Sequence, residues 1–277
     1  MIDPKELRTQ LDEILPTVQS PSRYLGLERN LTRKTWDDIP LHVALAFPDA
    51  YEIGMSHQGT RILYHLVNRR TDALAERTFA PMPDMADALR EAGLPLYTLE
   101  SYRAVSDFDI VGISLQSELN YINVPYLLDL AGITRRADAR GQDEPLVISG
   151  GPCTANPEPV ADFFDAILIG DAEAALDAML DAIRDGRTAG DDRRDILKRL
   201  AGVDGVYVPS FYTWRPASEE SPGGWVEPDD VRFPVKRVWV DELDLADQPE
   251  APIVPFAGVI QDRLGLEIMR GCTQGCR

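Results

Sequence analysis

Leu41-His-Val-Ala-Leu-Ala-Phe47 is a nearly continuous apolar run that ends at Pro48. Because it does not alternate between apolar and polar residues, it is typical of a strand buried on both faces of a parallel sheet. Similar runs lie at residues 109–115, 146–149 and 166–169. Together the four runs predict a sheet whose two faces are both covered by helices.

Segments with helical periodicity lie between these runs. They cover residues 58–70, 83–92 and 174–184, and an amphipathic helix is predicted before the first strand, over residues 4–15. Strand and helix patterns that alternate in this way predict right-handed βαβ crossovers. We therefore predict an α/β fold with a doubly wound parallel (Rossmann-like) sheet. A short extra strand is predicted over residues 96–99.

The composition is that of a globular protein. The chain has 277 residues, of which 44% are hydrophobic and 27% charged. Its formal charge of −18 repels phosphate backbones and anionic membrane surfaces, which argues against direct nucleic-acid binding by this part of the protein. The sequence has no apolar run of about 18 residues and no charged-then-apolar leader. We therefore expect no membrane span and a cytoplasmic location.

Two of the three cysteines, Cys272 and Cys276, follow the apolar strand-like run that begins at Leu266. Thiolates on a loop after a strand are suitable ligands for an iron–sulfur cluster or a soft metal. By itself the Cys-x3-Cys spacing also fits half of a zinc site or two ordinary thiols. Three cysteines do not make a disulfide framework for a chain of this length, and a reducing compartment keeps them available as thiolates.

The segment Arg270-Gly-Cys-x3-Cys-Arg277 resembles the opening of a radical S-adenosylmethionine (radical SAM) core, whose motif is Cys-x3-Cys-x2-Cys. The resemblance implies a 4Fe-4S cluster with Cys272 and Cys276 as two of its ligands, and S-adenosylmethionine bound at the open iron. It also implies an electron donor such as ferredoxin or flavodoxin. The family's third cysteine would fall at the second position after Arg277, so the ligand set of this chain is expected to be incomplete and the chain alone inactive.

Residues 41–185 resemble the cobalamin-binding domain that precedes the radical SAM core in many enzymes. The resemblance rests on Asp109-Ile-Val-Gly-Ile-Ser114, Val147-Ile-Ser-Gly-Gly-Pro152 and Ala166-Ile-Leu-Ile-Gly-Asp-Ala-Glu173. The loop Tyr51-Glu-Ile-Gly-Met-Ser-His57 is similar to a functionally uncharacterised branch of that superfamily. What the resemblance implies is a methyl or sulfur-group transfer, or another radical modification, with no particular substrate.

The loops after the strands hold the candidate cofactor-binding residues. In a doubly wound sheet the ligand lies beyond the carboxyl ends of the strands, near the switch in strand order. Glycines there allow a bulky flat ligand to approach the backbone, and a serine hydroxyl can hydrogen-bond a buried polar group. The predicted residues are Ser114, Gly150, Gly151, Pro152, Gly170 and Glu173. On the resemblance, the first three line the pocket for the corrinoid tail.

The loop after the first strand departs from one version of the cobalamin-domain pattern. Domains that replace the lower axial ligand of cobalt use Asp-x-His-x-x-Gly in this loop, and the spacing of Asp49, His57 and Gly59 does not fit it. We therefore expect cobalamin to bind without a histidine from the protein. The favoured role of His57 is a hydrogen bond in the loop or at the start of the next helix.

Other readings of the candidate residues involve no ligand. The pair Gly150 and Gly151 also suits a tight turn after a strand. Asp171 and Glu173 also suit the amino end of a helix, where acidic residues stabilise the helix dipole. Cys153 is interpreted as a small packed residue.

The predicted domain organisation has four parts. They are an amino-terminal helix and arm (1–40), the cobalamin-binding-like domain (41–200), a β-rich connector (201–262), and the first strand and cluster loop of a radical SAM barrel (263–277). Short strands are predicted in the connector, over residues 206–209, 211–214 and 235–240. The alternative function is a non-catalytic module that binds cobalamin, a nucleotide-like ligand or a partner protein.

Overall fold

The computed structural model describes residues 2–219, 223–226, 231–243, 247–263, 265–271 and 274. Its main feature is a six-stranded sheet with the order β2-β1-β3-β4-β5-β6. The strands are β1 (Leu41–Phe47), β2 (Ala73–Phe79), β3 (Ile110–Ser114), β4 (Leu146–Gly150), β5 (Ala166–Leu168) and β6 (Val206–Tyr207). The first five are parallel and β6 is antiparallel to β5. The predicted α/β fold with a doubly wound sheet is confirmed.

Helices cover both faces of the sheet. They are α1 (Pro4–Ile14), α2 (Tyr51–Gly54), α3 (Gln58–Asn68), α4 (Pro83–Ala92), α5 (Asn123–Ala131), α6 (Leu176–Ala189) and α7 (Arg193–Ala201). Val43 and Leu45 of β1 belong to the core shared with α3 and α6, whereas Ala44 and Ala46 belong to the core shared with α5. Successive strand residues point to opposite faces, so β1 is buried on both faces. Within the described part of the chain, no helix has the length and apolar character to span a membrane.

Some short elements differ from the prediction. Residues 96–99 form no strand, and Tyr97 makes only an isolated bridge with Ala104. Residues 235–240 form no strand either, although Val238 bridges to the loop after β5. The predicted run at 206–209 supplies β6 to the main sheet. A separate two-stranded sheet is formed by β7 (Thr213–Arg215) and β8 (Gly224–Val226). The four-part division of the chain stays a prediction.

Strand β2 is absent from the sequence-based prediction. Its sequence, Ala73-Leu-Ala-Glu-Arg-Thr-Phe79, is interrupted by charge, yet all seven residues are buried. The Arg77 side chain is fully buried between two carboxylates. Its Nε lies 2.6 Å from Glu100 Oε1, and one terminal nitrogen lies 3.0 Å from Glu28 Oε2. The other oxygen of Glu28 accepts a 2.6 Å hydrogen bond from the Tyr51 hydroxyl. The charge is therefore paired on both sides.

Replacing Arg77 with methionine keeps much of the apolar stem but leaves two buried carboxylates without their cation. We expect the free energy of unfolding to fall by about 3–5 kcal/mol, the cost of breaking a buried ion pair. The matched control is Arg90→Met, because the Arg90–Asp87 pair is more than half exposed and is worth about 0–1 kcal/mol. Urea unfolding of the two variants measures the difference. Equal losses would show that the buried triad contributes no more than a surface pair.

Candidate functional site

A cavity of about 580 Å³ lies between the sheet and helices α3 and α6. The sheet side is formed by alternate residues of neighbouring strands, among them Val43 and Leu45 of β1 and Ile148 of β4. The helix side includes Ile62 of α3 and Met179 of α6. The strand order reverses between β1 and β3, so this is the switch point at which doubly wound folds bind their ligands.

Two glycines, one on each of two neighbouring strands, leave this space open because they have no side chain. Gly112 of β3 and Gly150 of β4 both lie on the cavity face of the sheet. A Cβ atom at Gly112 would lie 3.6 Å from the nearest Leu45 methyl carbon, and one at Gly150 would have no atom within 4 Å. Larger residues at these positions would project into the cavity. The two glycines therefore account for the width of the cavity at this end of the strands.

All six predicted cofactor-binding residues line the cavity. Ser114 ends β3, Gly150 ends β4, and the others follow β4 or β5. Two of the glycines also have a conformational reason. Gly151 has a φ of +107°, and a Cβ there would lie 2.6 Å from the Leu115 carbonyl oxygen. Gly170 has a φ of +126°, and a Cβ there would overlap the Val238 backbone. A binding role for the six residues stays a prediction.

The mouth of the cavity is charged. Arg270 donates two hydrogen bonds to the Glu173 carboxylate, at 3.1 and 2.5 Å, and two to Glu267, both at 2.8 Å. Asp171 Oδ2 lies 3.4 Å from the Arg270 guanidinium. These four residues all line the cavity. The interpretation that Asp171 and Glu173 serve only a helix dipole is therefore incomplete, because both carboxylates pair with an arginine from the far end of the chain.

Comparison with known proteins gives the family. Residues 59–209 match the family model for the amino-terminal part of radical SAM proteins. The chain belongs to this family. It is also 24% identical over 238 residues to an uncharacterized protein of Methanocaldococcus jannaschii. The matched region covers 85% of this chain and 40% of that protein. The chain thus spans about two fifths of the length of this relative. No solved structure matches it.

His57 lies at the start of a helix, which is one of the two positions favoured for it in the sequence analysis. It is the N-cap of α3, and its Nδ1 accepts a 3.1 Å hydrogen bond from the Thr60 backbone N–H. Burial lowers the pKa of the imidazole, and a side-chain hydrogen bond with Gln116 opposes that shift. In the neutral ring the proton then belongs on Nε2. Nδ1 already uses its lone pair and Nε2 carries the proton, so the ring offers no free lone pair to a metal.

The two cysteines predicted to be cluster ligands are not in the described part of the structure. Cys272 and Cys276 both lie outside the described residues. Among those that are described, no group of three or more histidines, cysteines or carboxylates is placed to hold a metal ion. Cys153 is half-buried and packs against the α5 side of the core. Burial raises the pKa of its thiol, which keeps it in the less reactive neutral form.

Several cavity residues are not among those predicted from the sequence. Gly112 lies inside a strand, where nothing distinguishes it from a residue that only packs. The apolar walls come from α3 and α6, whose periodicity indicates burial without indicating a gap. Arg270 is visible only as part of the cysteine motif. Gln116, two residues after Ser114, carries the one available signal, a polar residue directly after a buried strand.

Gly170→Ala tests whether this glycine is required by the backbone rather than by a ligand. The added methyl group would overlap the Val238 backbone and occupy a positive φ, so we expect stability to fall by about 1–3 kcal/mol. Gly150→Ala is the control, because it meets no atom within 4 Å and should change stability by less than about 1 kcal/mol. Urea unfolding compares them. A Gly170→Ala protein as stable as the control would contradict the close approach of Val238.

Proposed function

We propose that this chain is the corrinoid-binding amino-terminal part of a radical SAM enzyme that transfers or modifies a chemical group by radical chemistry. The observation that carries the proposal is the cavity at the β1/β3 switch point. It brings Ser114, Gly150, Gly151 and the loop after β5 to one place. Family membership supplies the radical SAM context. The substrate is not part of the proposal.

The cavity residues suit the tail of a corrinoid. A volume of about 580 Å³ lies within the range of roughly 300–1,000 Å³ for small-molecule pockets. The walls from α3 and α6 are mostly apolar, which suits a flat heteroaromatic group. Gly150 lets such a group approach the backbone, and the Ser114 hydroxyl can hydrogen-bond to it. A bound corrinoid would supply a cobalt centre able to carry a transferable group.

The geometry of His57 supports binding without a protein ligand to cobalt. Its Nδ1 accepts a hydrogen bond from the Thr60 backbone N–H, which occupies the lone pair of that nitrogen within the fold. The chain's part would therefore be to hold and orient the corrinoid through its tail. The cobalt centre would then be free of a histidine from this domain.

In the whole protein, we further propose that Cys272 and Cys276 are two ligands of a 4Fe-4S cluster that binds S-adenosylmethionine. An electron donor such as ferredoxin or flavodoxin would reduce the cluster. The proposed division of labour follows the chain: an arm over residues 1–40, the corrinoid domain over 41–200, a connector over 201–262 and the start of the barrel over 263–277. The family match supports the cluster and S-adenosylmethionine as cofactors of this class of protein.

Hydroxocobalamin binding tests the corrinoid proposal directly. After incubation and desalting, we expect the chain to retain close to one corrin per molecule by visible absorbance. Gly112→Leu would fill the cavity and should weaken binding at least about tenfold, because the tail and the leucine side chain compete for one space. The matched control is Gly141→Leu, in the loop before β4, where a Cβ has only Glu144 nearby, at 3.7 Å.

The outcomes separate the corrinoid proposal from its rival. Absence of retained corrin in the wild-type chain would contradict the proposal, and equal retention in both variants would place binding elsewhere. The rival is a module for a nucleotide-like ligand, and the β2-β1-β3-β4-β5 order, which flavodoxin shares, is the observation in its favour. Retention of FMN in place of hydroxocobalamin would favour it. Circular dichroism confirms that each variant is folded.

Anaerobic reconstitution with iron and sulfide tests the cluster ligands in the whole protein. We expect Cys272→Ser and Cys276→Ser each to abolish most of the bound iron and of the broad visible absorbance, since each removes a thiolate from the cluster. Cys153→Ser is the control and should keep both, because this thiol packs against the core. Cluster content that is unchanged in the first two variants would reject them as ligands.

A further inference from the structure

The segment that leads into the cysteine motif crosses the mouth of the cavity. We call residues 261–263 and 265–270 the strap. On the α3 side, the Gln261 backbone N–H donates a 3.1 Å hydrogen bond to Ser56 Oγ. Gly265 passes so close to the start of α3 that a Cβ there would lie 3.3 Å from Gln58 Oε1. On the other side, Glu267 and Arg270 line the cavity.

Ion pairs hold the strap on the side of the loop after β5. Arg270 is the centre of this contact, which we call the latch, and its carboxylate partners are Asp171, Glu173 and Glu267. The side chain of Arg270 is 23% exposed and that of Glu173 is 11% exposed. Hydrogen bonds from Arg270 lower the pKa of Glu267. The latch therefore consists of partly desolvated, charge-assisted hydrogen bonds, which are stronger than exposed ones.

Apolar contacts contribute little to holding the strap. Leu266, Ile268 and Met269 are 78%, 87% and 59% exposed. Since these side chains are not buried against the sheet, the strap is attached mainly through polar and ionic contacts. Such an attachment can open without loss of core packing. If Arg270 leaves, the Glu173 carboxylate loses its paired cation and Asp171 is left with the more distant Arg237, at 4.0 Å. The negative charge at the mouth of the cavity therefore favours closure.

We propose that the strap is an ionically latched gate over the cavity, and that the Arg270–Glu173 pair controls how fast a corrinoid enters and leaves. This inference rests on the proposed corrinoid site. Arg270 lies two residues before Cys272 in the sequence. Glu173 is thus a positioning residue, acting through Arg270.

Release kinetics give the first test. Glu173→Gln keeps the shape of the side chain and removes its charge, so the latch loses its shortest ion pair. After loading with hydroxocobalamin and dilution into excess competing corrinoid of different absorbance, we expect release about tenfold faster than from the wild-type chain. Arg270→Gln should have a similar effect, and the double variant no larger one, because the two residues act as a unit.

A matched control and a salt series sharpen this test. Asp162→Asn also removes one negative charge, but from the Arg136–Asp162 pair, whose side chains are both more than half exposed. Release from this variant should be unchanged. Raising the salt concentration to about 0.5 M should accelerate release from the wild-type chain more than from Glu173→Gln, because salt screens the remaining ionic attraction. Equal release rates for Glu173→Gln and the wild-type chain would overturn the gate.

Trypsin cleavage tests the latch without any corrinoid. The Arg270 side chain is engaged by Glu173 and Glu267 in the closed strap, so the protease must wait for opening. We expect cleavage after Arg270, followed by mass spectrometry, to be several-fold faster in Glu173→Gln than in the wild-type chain or Asp162→Asn. If cleavage accelerates while the wild-type chain binds no corrinoid, the latch stands and the proposed ligand falls. If corrinoid binds and neither rate changes, the proposed function stands and the gate falls.

Discussion

The Arg77 guanidinium, fully buried between Glu28 and Glu100, is the contact that ties the separate parts of this domain together. A charge at this depth is tolerated only where partners satisfy it on all sides. Glu28 comes from the amino-terminal arm and Glu100 from the loop before β3. If either segment moved away, the buried Arg77 of β2 would lose one of its two carboxylate partners. Arg77 also contacts Met55 Sδ at 2.9 Å. The loop that precedes α3 is thereby fixed to the same centre, and with it one wall of the cavity.

Ion pairs also join the two helices, α3 and α6, that form one side of the cavity. Arg70, two residues after the end of α3, donates hydrogen bonds to Asp177 and Asp181 of α6, at 3.1 and 2.6 Å. These contacts join the two helices, and they do so without apolar packing that would fill the cavity. The sheet side stays open because Gly112 and Gly150 carry no side chain. A cavity in a well-packed α/β domain thus accompanies ion pairs that join α3 and α6 and glycines on the facing strands.

Much of the fold follows from local pattern, and the exceptions share one cause. Strands β1, β3, β4 and β5 are continuous apolar runs, so their burial is readable from the sequence. Strand β2 is not, because Glu76 and Arg77 look like surface residues until their partners are known. Glu28 and Glu100 lie 49 and 23 positions away from Arg77, and no local pattern shows that the chain brings them together. A buried charge is a tertiary property.

The candidate site divides in the same way. Ser114, Gly150 and Gly170 come together for a topological reason, since the carboxyl ends of parallel strands meet at one edge. Gly112 could not be recognised, because its role depends on what is missing opposite it, between α3 and α6. Glu173 could be placed at the edge of the site, but its pairing with Arg270 joins residues 97 positions apart.

The strap, too, is held by a contact between residues far apart in the sequence, Arg270 and Glu173. Glu267 faces the sheet domain, while Leu266 and Ile268 on either side of it are exposed. Arg270 of the strap pairs with the Asp171 and Glu173 carboxylates at the mouth of the cavity, while Leu266 and Ile268 stay exposed. Arg270 holds the strap through ion pairs, and the described part of the domain does not bury Leu266 or Ile268. A partner that buries these two side chains can therefore bind the strap without displacing the latch.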